Sequence, residues 1–177
     1  MMISVASPMA QTVVGLSTGA AATMVGIMGI FNGAGRILWA AASDYISRPV
    51  VFIIFFFIQL ITFLTLPIIA SALVFQILIF LVVSCYGGGF SNLPAFIADL
   101  FGTKELGAVH GYLLTTWSLG GLIGPTLVSQ IYTKTGTYNP VFYLFAGLIT
   151  VALIISVLLK KDVREVQKKQ VFLAEKG

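Results

Sequence analysis

Long stretches without a single charged side chain constrain this sequence more than any other feature. Residues 1–35, 49–98 and 135–159 contain no Asp, Glu, Lys or Arg. A soluble domain carries charge on roughly a quarter of its residues, whereas here the charged share is 9% and the hydrophobic share 58%. A water-exposed surface cannot be built from such stretches. The sequence therefore predicts an all-α integral membrane protein.

The lengths of the apolar stretches predict the number of membrane spans. A helix needs ~20 apolar residues to cross ~30 Å of hydrocarbon. Five complete transmembrane helices are predicted, at about 18–42, 49–69, 73–98, 107–132 and 140–159. The opening segment, 1–14, is apolar but too short to cross. We interpret it as the outer end of a truncated transmembrane helix.

The positions of the basic residues predict the orientation of the spans. Lys and Arg in short loops are retained on the cytoplasmic side. If the five spans alternate, Arg48, Lys104 and the basic tail 160–177 share one face, and Lys134 stands alone on the other. The prediction is a multi-pass protein of the cell membrane with a cytoplasmic C-terminus. The tail is expected to be either a solvated segment or an amphipathic helix on anionic lipid.

Several functional classes are disfavoured by what the sequence contains. One cysteine, Cys85, and one histidine, His110, provide neither a disulfide framework nor a cluster of metal ligands. The basic residues are concentrated beside a membrane span, which is a topology signal and not a nucleic-acid surface. No carboxylate pair or Ser-His-Asp set is gathered in one place. We therefore predict no enzyme activity, no cofactor, no metal and no nucleic-acid partner.

Arg36 is the first candidate for a functional residue, because it lies inside the first full span. An arginine in a membrane helix costs ~2.5–3.5 kcal/mol on insertion scales, so it should face a polar cavity or a partner. Asn32 lies one turn earlier on the same face, and Gly29 and Gly33 form a small-xxx-small pair suited to close helix packing. Arg36 is predicted to bind an anion, unless it extends to the headgroups or pairs with Asp44.

Two further segments are candidates for conformational roles. Asp44 at the end of the first span and Arg48 in the next loop are spaced to form a pair that latches two helices, or an ordinary juxtamembrane ion pair. Gly87, Gly88 and Gly89 lie inside the 73–98 span, and three glycines loosen a helix. This glycine segment is interpreted either as a gate or as a site of close helix packing. Polar side chains flank it, namely Tyr86, Ser91 and Asn92.

Three stretches carry a resemblance to a known family. Residues 39–48 resemble the loop motif G-x-L-[AS]-D-x-x-G-R of the major facilitator superfamily, in which Ser43, Asp44 and Arg48 match while Ala40 and Ser47 replace glycines. Residues 85–102 and 110–125 resemble the oxalate–formate antiporter branch of that superfamily, whose members move small carboxylates. The likeness covers nearly the whole chain.

The resemblance implies a fold and a set of roles. The chain would be the C-terminal six-helix half of a twelve-helix carrier, with its first helix truncated and an N-terminal six-helix half as partner. Arg36 would bind a small carboxylate, and the conformational latch would include Asp99. The substrate pocket would be lined by Asn32, Tyr86, Asn92, Thr116 and Trp117.

One departure from the family pattern bears on the substrate. The oxalate carriers place a lysine in the helix that corresponds to the 107–132 span, whereas here Thr116 or Trp117 takes that place. A single cation suits formate, lactate or pyruvate better than oxalate. The leading hypothesis is therefore one half of a secondary carboxylate transporter working by alternating access, for a monocarboxylate or for oxalate–formate exchange. The alternative is a truncated, transport-inactive membrane fragment that acts at most as an interaction partner.

Overall fold

The computed structural model describes the backbone of residues 2–174 and the side chains of residues 3–161 and 163. Within these residues every regular element is helical. The six α-helices are α1 (Met2–Val14), α2 (Thr18–Ile46), α3 (Arg48–Thr65), α4 (Ala72–Phe101), α5 (Leu106–Thr135) and α6 (Asn139–Ala174). A short 3-10 turn, Leu66–Ile68, follows α3.

Local chemistry sets several of the helix ends. The hydroxyl of Ser17 accepts a hydrogen bond from the Ala20 amide at 3.3 Å and caps α2, and Ser71 caps α4 in the same way. Gly136 ends α5 with a left-handed φ of 70°, a conformation that glycine adopts at little cost. These caps place short loops between long helices.

Four segments are long and apolar enough to cross a membrane by length and composition. They are Thr18–Ile46, Arg48–Ile68, Ala72–Phe101 and Asn139–Lys161. The fifth predicted span, at 107–132, lies within α5, which has 30 residues but a more polar composition and is not among the four. Its crossing stays a prediction. α1, with 13 residues, is shorter than a complete crossing.

The closest packing in the bundle is between α2 and α4. A Cβ atom added at Gly35 would clash with the backbone of Ser84, and one added at Gly87 would clash with the backbone carbonyl of Asn32. Gly29 and Gly33, which the spacing marked for close packing, have nothing within 4 Å of an added Cβ. The contact is therefore made by Gly35 of α2 against α4, and not by the small-xxx-small pair.

Two hydrophobic clusters hold the bundle. The larger one joins α1, the start of α2 and α4, and the α5–α6 connection, with Met24, Phe75 and Phe142 almost fully buried. The smaller one is built on Val51, Phe55 and Cys85, with Trp39 packed against it. The second cluster supports the stretch of α2 and α4 that carries Arg36 and Tyr86.

The last helix differs from the predicted boundary at residue 159. α6 continues without interruption from the apolar span through Lys160 to Ala174. Val163 is only 5% exposed, so the first turn of the predicted tail packs onto the bundle. The side chains of residues 162 and 164–177 lie outside the described set, so a solvated or lipid-bound tail stays a prediction.

Candidate functional site

Arg36 lies exposed on α2 and faces an aromatic ring of α4. Its guanidinium carbon Cζ is 5.7 Å from the centre of the Phe90 ring, a cation–π arrangement that contributes about 0.5–1 kcal/mol at exposed sites. The Ser91 hydroxyl donates to the Arg36 backbone carbonyl at 2.9 Å and ties the two helices together. Among the described residues, no carboxylate lies within ion-pair distance of Arg36. Its charge is therefore available to an anion.

Three aromatic residues extend from Arg36 to α5. The Phe90 ring makes edge contacts with Tyr86, at 5.6 Å between ring centres, and with Trp117, at 5.1 Å. The indole Nε1–H of Trp117 donates to the Tyr86 hydroxyl oxygen at 2.9 Å. We call Arg36, Tyr86, Phe90 and Trp117 the arginine–aromatic cluster. It unites three of the predicted site residues and adds Phe90.

The remaining predicted pocket residues are engaged elsewhere. Asn92 is 1% exposed, and its side-chain amide donates to the Gly88 carbonyl at 2.8 Å. Asn32 is partly buried at the crossing with Gly87. Thr116 is exposed and its hydroxyl donates to the Leu113 carbonyl at 2.8 Å. Of Thr116 and Trp117, only Trp117 belongs to the arginine–aromatic cluster.

The glycine segment of α4 divides into two kinds of position. Gly87 and Gly88 lie against Asn32 and Trp39 of α2, where an added Cβ would clash. Gly89 has open space around it, and α4 continues as one helix through all three. At Gly87 and Gly88 the contacts agree with close helix packing, and a gating role for this segment stays a prediction.

Charged residues gather where α2, α3, α4 and α6 meet. Arg48 donates a hydrogen bond to Asp99 through Nη1, and its Nη2 lies 3.9 Å from Asp44 Oδ1. With Lys160 and Val163 these residues line a cavity of about 470 Å³. The sequence paired Arg48 with Asp44, whereas the direct partner in the structure is Asp99. Both carboxylates are more than a third exposed, so solvent weakens these pairs.

Two smaller cavities flank the hydrogen bond between Tyr86 and Trp117. One, of about 300 Å³, reaches toward Phe52 and His110. The other, of about 390 Å³, reaches toward Ile3 of α1 and Phe145 of α6. Both are lined by Tyr86, Trp117 and Gln59. The tyrosine–tryptophan pair therefore forms part of the wall of both cavities.

Sequence reasoning missed Phe90 and Lys160. Phe90 is four residues after Tyr86 and therefore on the same face of α4, a signal that could have placed it beside the predicted pocket. Lys160 was assigned to the tail, and only the continuation of α6 brings it to the charged cavity. Among the described residues, no group of three His, Cys, Asp or Glu side chains could hold a metal ion.

Among the described residues, four segments are long and apolar enough to cross a membrane, which is typical of an α-helical membrane protein. A sequence profile of the Major Facilitator Superfamily matches residues 1–176. The chain belongs to that superfamily, and its helices form a partial major facilitator fold.

Two relatives indicate which branches of the superfamily are similar. Monocarboxylate transporter 10 of Mus musculus is 31% identical over 122 residues, which cover 66% of this chain and 23% of that protein. The oxalate:formate antiporter of Oxalobacter formigenes is 27% identical over 134 residues, which cover 75% of this chain and 32% of that protein. Both relatives are named as transporters, and the chain matches about a quarter to a third of their length.

Proposed function

We propose that the chain forms the C-terminal half of a secondary active carrier for small carboxylate anions, with Arg36 as the anion-binding residue. The observation that carries this proposal is the guanidinium of Arg36, which has no ion-pair partner among the described residues and lies 5.7 Å from the centre of the Phe90 ring. The same ring packs against Tyr86 and Trp117. Arginine in a membrane helix is costly unless it serves a pathway or a partner. An anion is the partner that its fork of N–H donors matches.

The number of cations near the site favours a monocarboxylate. Within the described residues, the arginine–aromatic cluster contains Arg36 as its one charged group, and Trp117 and Tyr86 contribute neutral donors. One cation balances the charge of formate, lactate or pyruvate, whereas oxalate would keep one charge uncompensated. The relatives are named for monocarboxylates and for oxalate:formate exchange, which supports the carboxylate class.

The complete carrier needs a second half in this proposal. Secondary transporters of this kind place the substrate between two helical halves that rock around it. An N-terminal six-helix half would supply the opposite wall. The basic residues near α6 would lie on the cytoplasmic side of the cell membrane. Asp44, Arg48 and Asp99 would latch that side when it is closed.

Carboxylate binding by variants of Arg36 tests the proposal. The chain is joined to an N-terminal six-helix half, reconstituted, and titrated with formate, lactate, pyruvate and oxalate. Arg36→Ala is expected to abolish detectable binding, and Arg36→Lys to weaken it at least tenfold because a lysine cannot form the bidentate fork. Lys134→Ala, at the far end of α5, is the control and should bind as the unaltered protein does. Carboxylate binding that is unchanged in both Arg36 variants would refute Arg36 as the anion-binding residue.

The alternative is a truncated, transport-inactive membrane fragment that acts at most as an interaction partner. Cells that make only these 177 residues distinguish the alternatives when uptake of labelled lactate and formate is measured. We expect no uptake above background, since one half supplies one wall of the site. Uptake appearing when an N-terminal half is made in the same cell supports the carrier. No uptake in either arrangement supports the inactive fragment.

A further inference from the structure

Trp117 and Tyr86 form a hydrogen bond whose direction is fixed by chemistry. An indole Nε1–H only donates, whereas a phenol oxygen both donates and accepts. The 2.9 Å contact therefore makes the Tyr86 oxygen the acceptor. The O–H of Tyr86 has no acceptor in the part of the chain that the structure describes. It is left free to donate to something that the chain does not itself provide.

The free O–H belongs to the arginine–aromatic cluster. Tyr86 and Phe90 lie one turn apart on α4, with ring centres 5.6 Å apart, and the guanidinium of Arg36 lies 5.7 Å from the same Phe90 ring. Phe90 also packs against the Trp117 ring at 5.1 Å. One phenylalanine ring thus contacts the cation, the tyrosine ring and the indole. Hydrogen bonds in a chain polarise one another, so the indole donor makes the tyrosine a stronger donor.

We propose that the Tyr86 O–H donates a hydrogen bond to the anion held by Arg36, and that Trp117 is the positioning residue that keeps this hydroxyl oriented as a donor. The inference rests on the proposed function for the identity of the anion. In this inference Trp117 does not touch the substrate and acts through the Tyr86 hydroxyl. A neutral donor of this kind adds a hydrogen bond to a carboxylate without adding a second charge, which suits a monoanion.

The hydrogen bond itself is tested on the 177-residue chain. In a Trp39→Phe background Trp117 is the remaining tryptophan, because the sequence holds two. Ultraviolet resonance Raman spectra of the purified protein in detergent then report the indole N–H of Trp117. Tyr86→Phe is expected to shift that band toward a weaker hydrogen bond. A band that does not move on Tyr86→Phe would overturn the proposal before any substrate is added.

Binding is tested on the chain joined to its N-terminal half, with whichever of formate, lactate or pyruvate binds most tightly. Tyr86→Phe is expected to weaken binding about tenfold, as for a lost hydrogen bond to a charged group. Trp117→Phe keeps an aromatic ring and loses the N–H, and a smaller loss of about threefold is expected. The double variant should bind no more weakly than Tyr86→Phe alone, because Trp117 acts through Tyr86.

Trp39→Phe is the matched control for the binding experiment. Trp39 also donates its Nε1–H to a hydroxyl, that of Ser84 at 3.3 Å, but it packs against Phe55 in the smaller hydrophobic cluster. Its replacement should leave the dissociation constant unchanged. Losses that add in the Tyr86/Trp117 double variant would mean that the indole touches the anion directly, which overturns the positioning role.

The outcomes also separate this inference from the proposed function. If Arg36→Ala leaves binding intact, the proposed function fails and this inference fails with it. If Arg36→Ala abolishes binding while Tyr86→Phe has no effect, the proposed function stands and only the role of Tyr86 and Trp117 is refuted.

Discussion

Arg36 is a candidate site residue that the sequence alone could single out. It is the one charged residue of its predicted span, and a charge inside a membrane helix is costly unless it serves a function. What surrounds it could not be found in the same way. Phe90 is an ordinary apolar residue in an apolar helix, and only the crossing of α2 and α4 brings its ring to the guanidinium.

At the residue scale we expect Phe90 to contribute to anion binding. Phe90→Leu keeps an apolar side chain but removes the ring that holds Arg36. The expected loss is about 0.5–1 kcal/mol, a few-fold in affinity, measured by carboxylate titration of the reconstituted protein. Phe80→Leu is the control, since Phe80 stacks with Phe31 in another part of the α2–α4 contact. An equal loss at both positions would mean that general packing, and not the cation–π contact, is responsible.

The pair formed by Arg48 and Asp99 gives a second prediction at this scale. Arg48→Asp or Asp99→Arg alone places like charges together and should lower the thermal unfolding midpoint of the detergent-solubilised chain. The double charge swap should recover most of the loss. Because the side chains are 27% and 38% exposed, the coupling energy should not exceed about 1 kcal/mol. If the double swap does not restore the unfolding midpoint, the stabilising partner of Arg48 is Asp44 and not Asp99.

At the element scale, the contact between α2 and α4 depends on where glycines fall on the two helix surfaces. Glycine spacing suggested close packing at Gly29 and Gly33, but the rotation of α2 about its axis turns Gly35 toward Ser84. Spacing fixes which residues share a face, while the crossing point is decided by the partner helix. The glycine run of α4 is likewise divided between packed and open positions.

Two glycines of α4 make a matched test of this contact. Gly87→Ala would press a methyl group into the Asn32 carbonyl, whereas Gly89→Ala meets open space. Both changes gain about the same helix propensity, close to 1 kcal/mol. Gly87→Ala should nevertheless destabilise the chain by about 1–3 kcal/mol, while Gly89→Ala should be neutral or stabilising. Unfolding in denaturing detergent measures both, and equal effects would contradict the crossing geometry.

At the scale of the whole molecule, the chain leaves much of α5 uncovered. Tyr112 is 75% exposed and Leu122 73% exposed, on the same helix that carries Trp117. Lipid can cover part of such a surface, and the N-terminal half of the proposed carrier would cover another part.

A substitution on α5 tests this surface. Leu122→Asp should leave the unfolding midpoint of the isolated chain nearly unchanged in detergent, because the side chain makes few contacts there. It should weaken co-purification with the N-terminal half, since a carboxylate would be buried without a partner. Val128→Asp, at a position 2% exposed, should instead destabilise the chain itself. Unchanged co-purification of Leu122→Asp would place this face against lipid.

The sequence by itself determined the membrane-protein class, the all-helical fold and the family, and it made Arg36 the first candidate site residue. These follow from charge placement, apolar length and local motifs, which are properties of consecutive residues. Only the tertiary structure decided that Arg48 bonds to Asp99, that Lys160 reaches the charged cavity and that Trp117 donates to Tyr86. Arg48 and Asp99 are 51 residues apart, and Tyr86 and Trp117 are 31 residues apart. Such contacts depend on helix rotation and crossing, which no local pattern encodes.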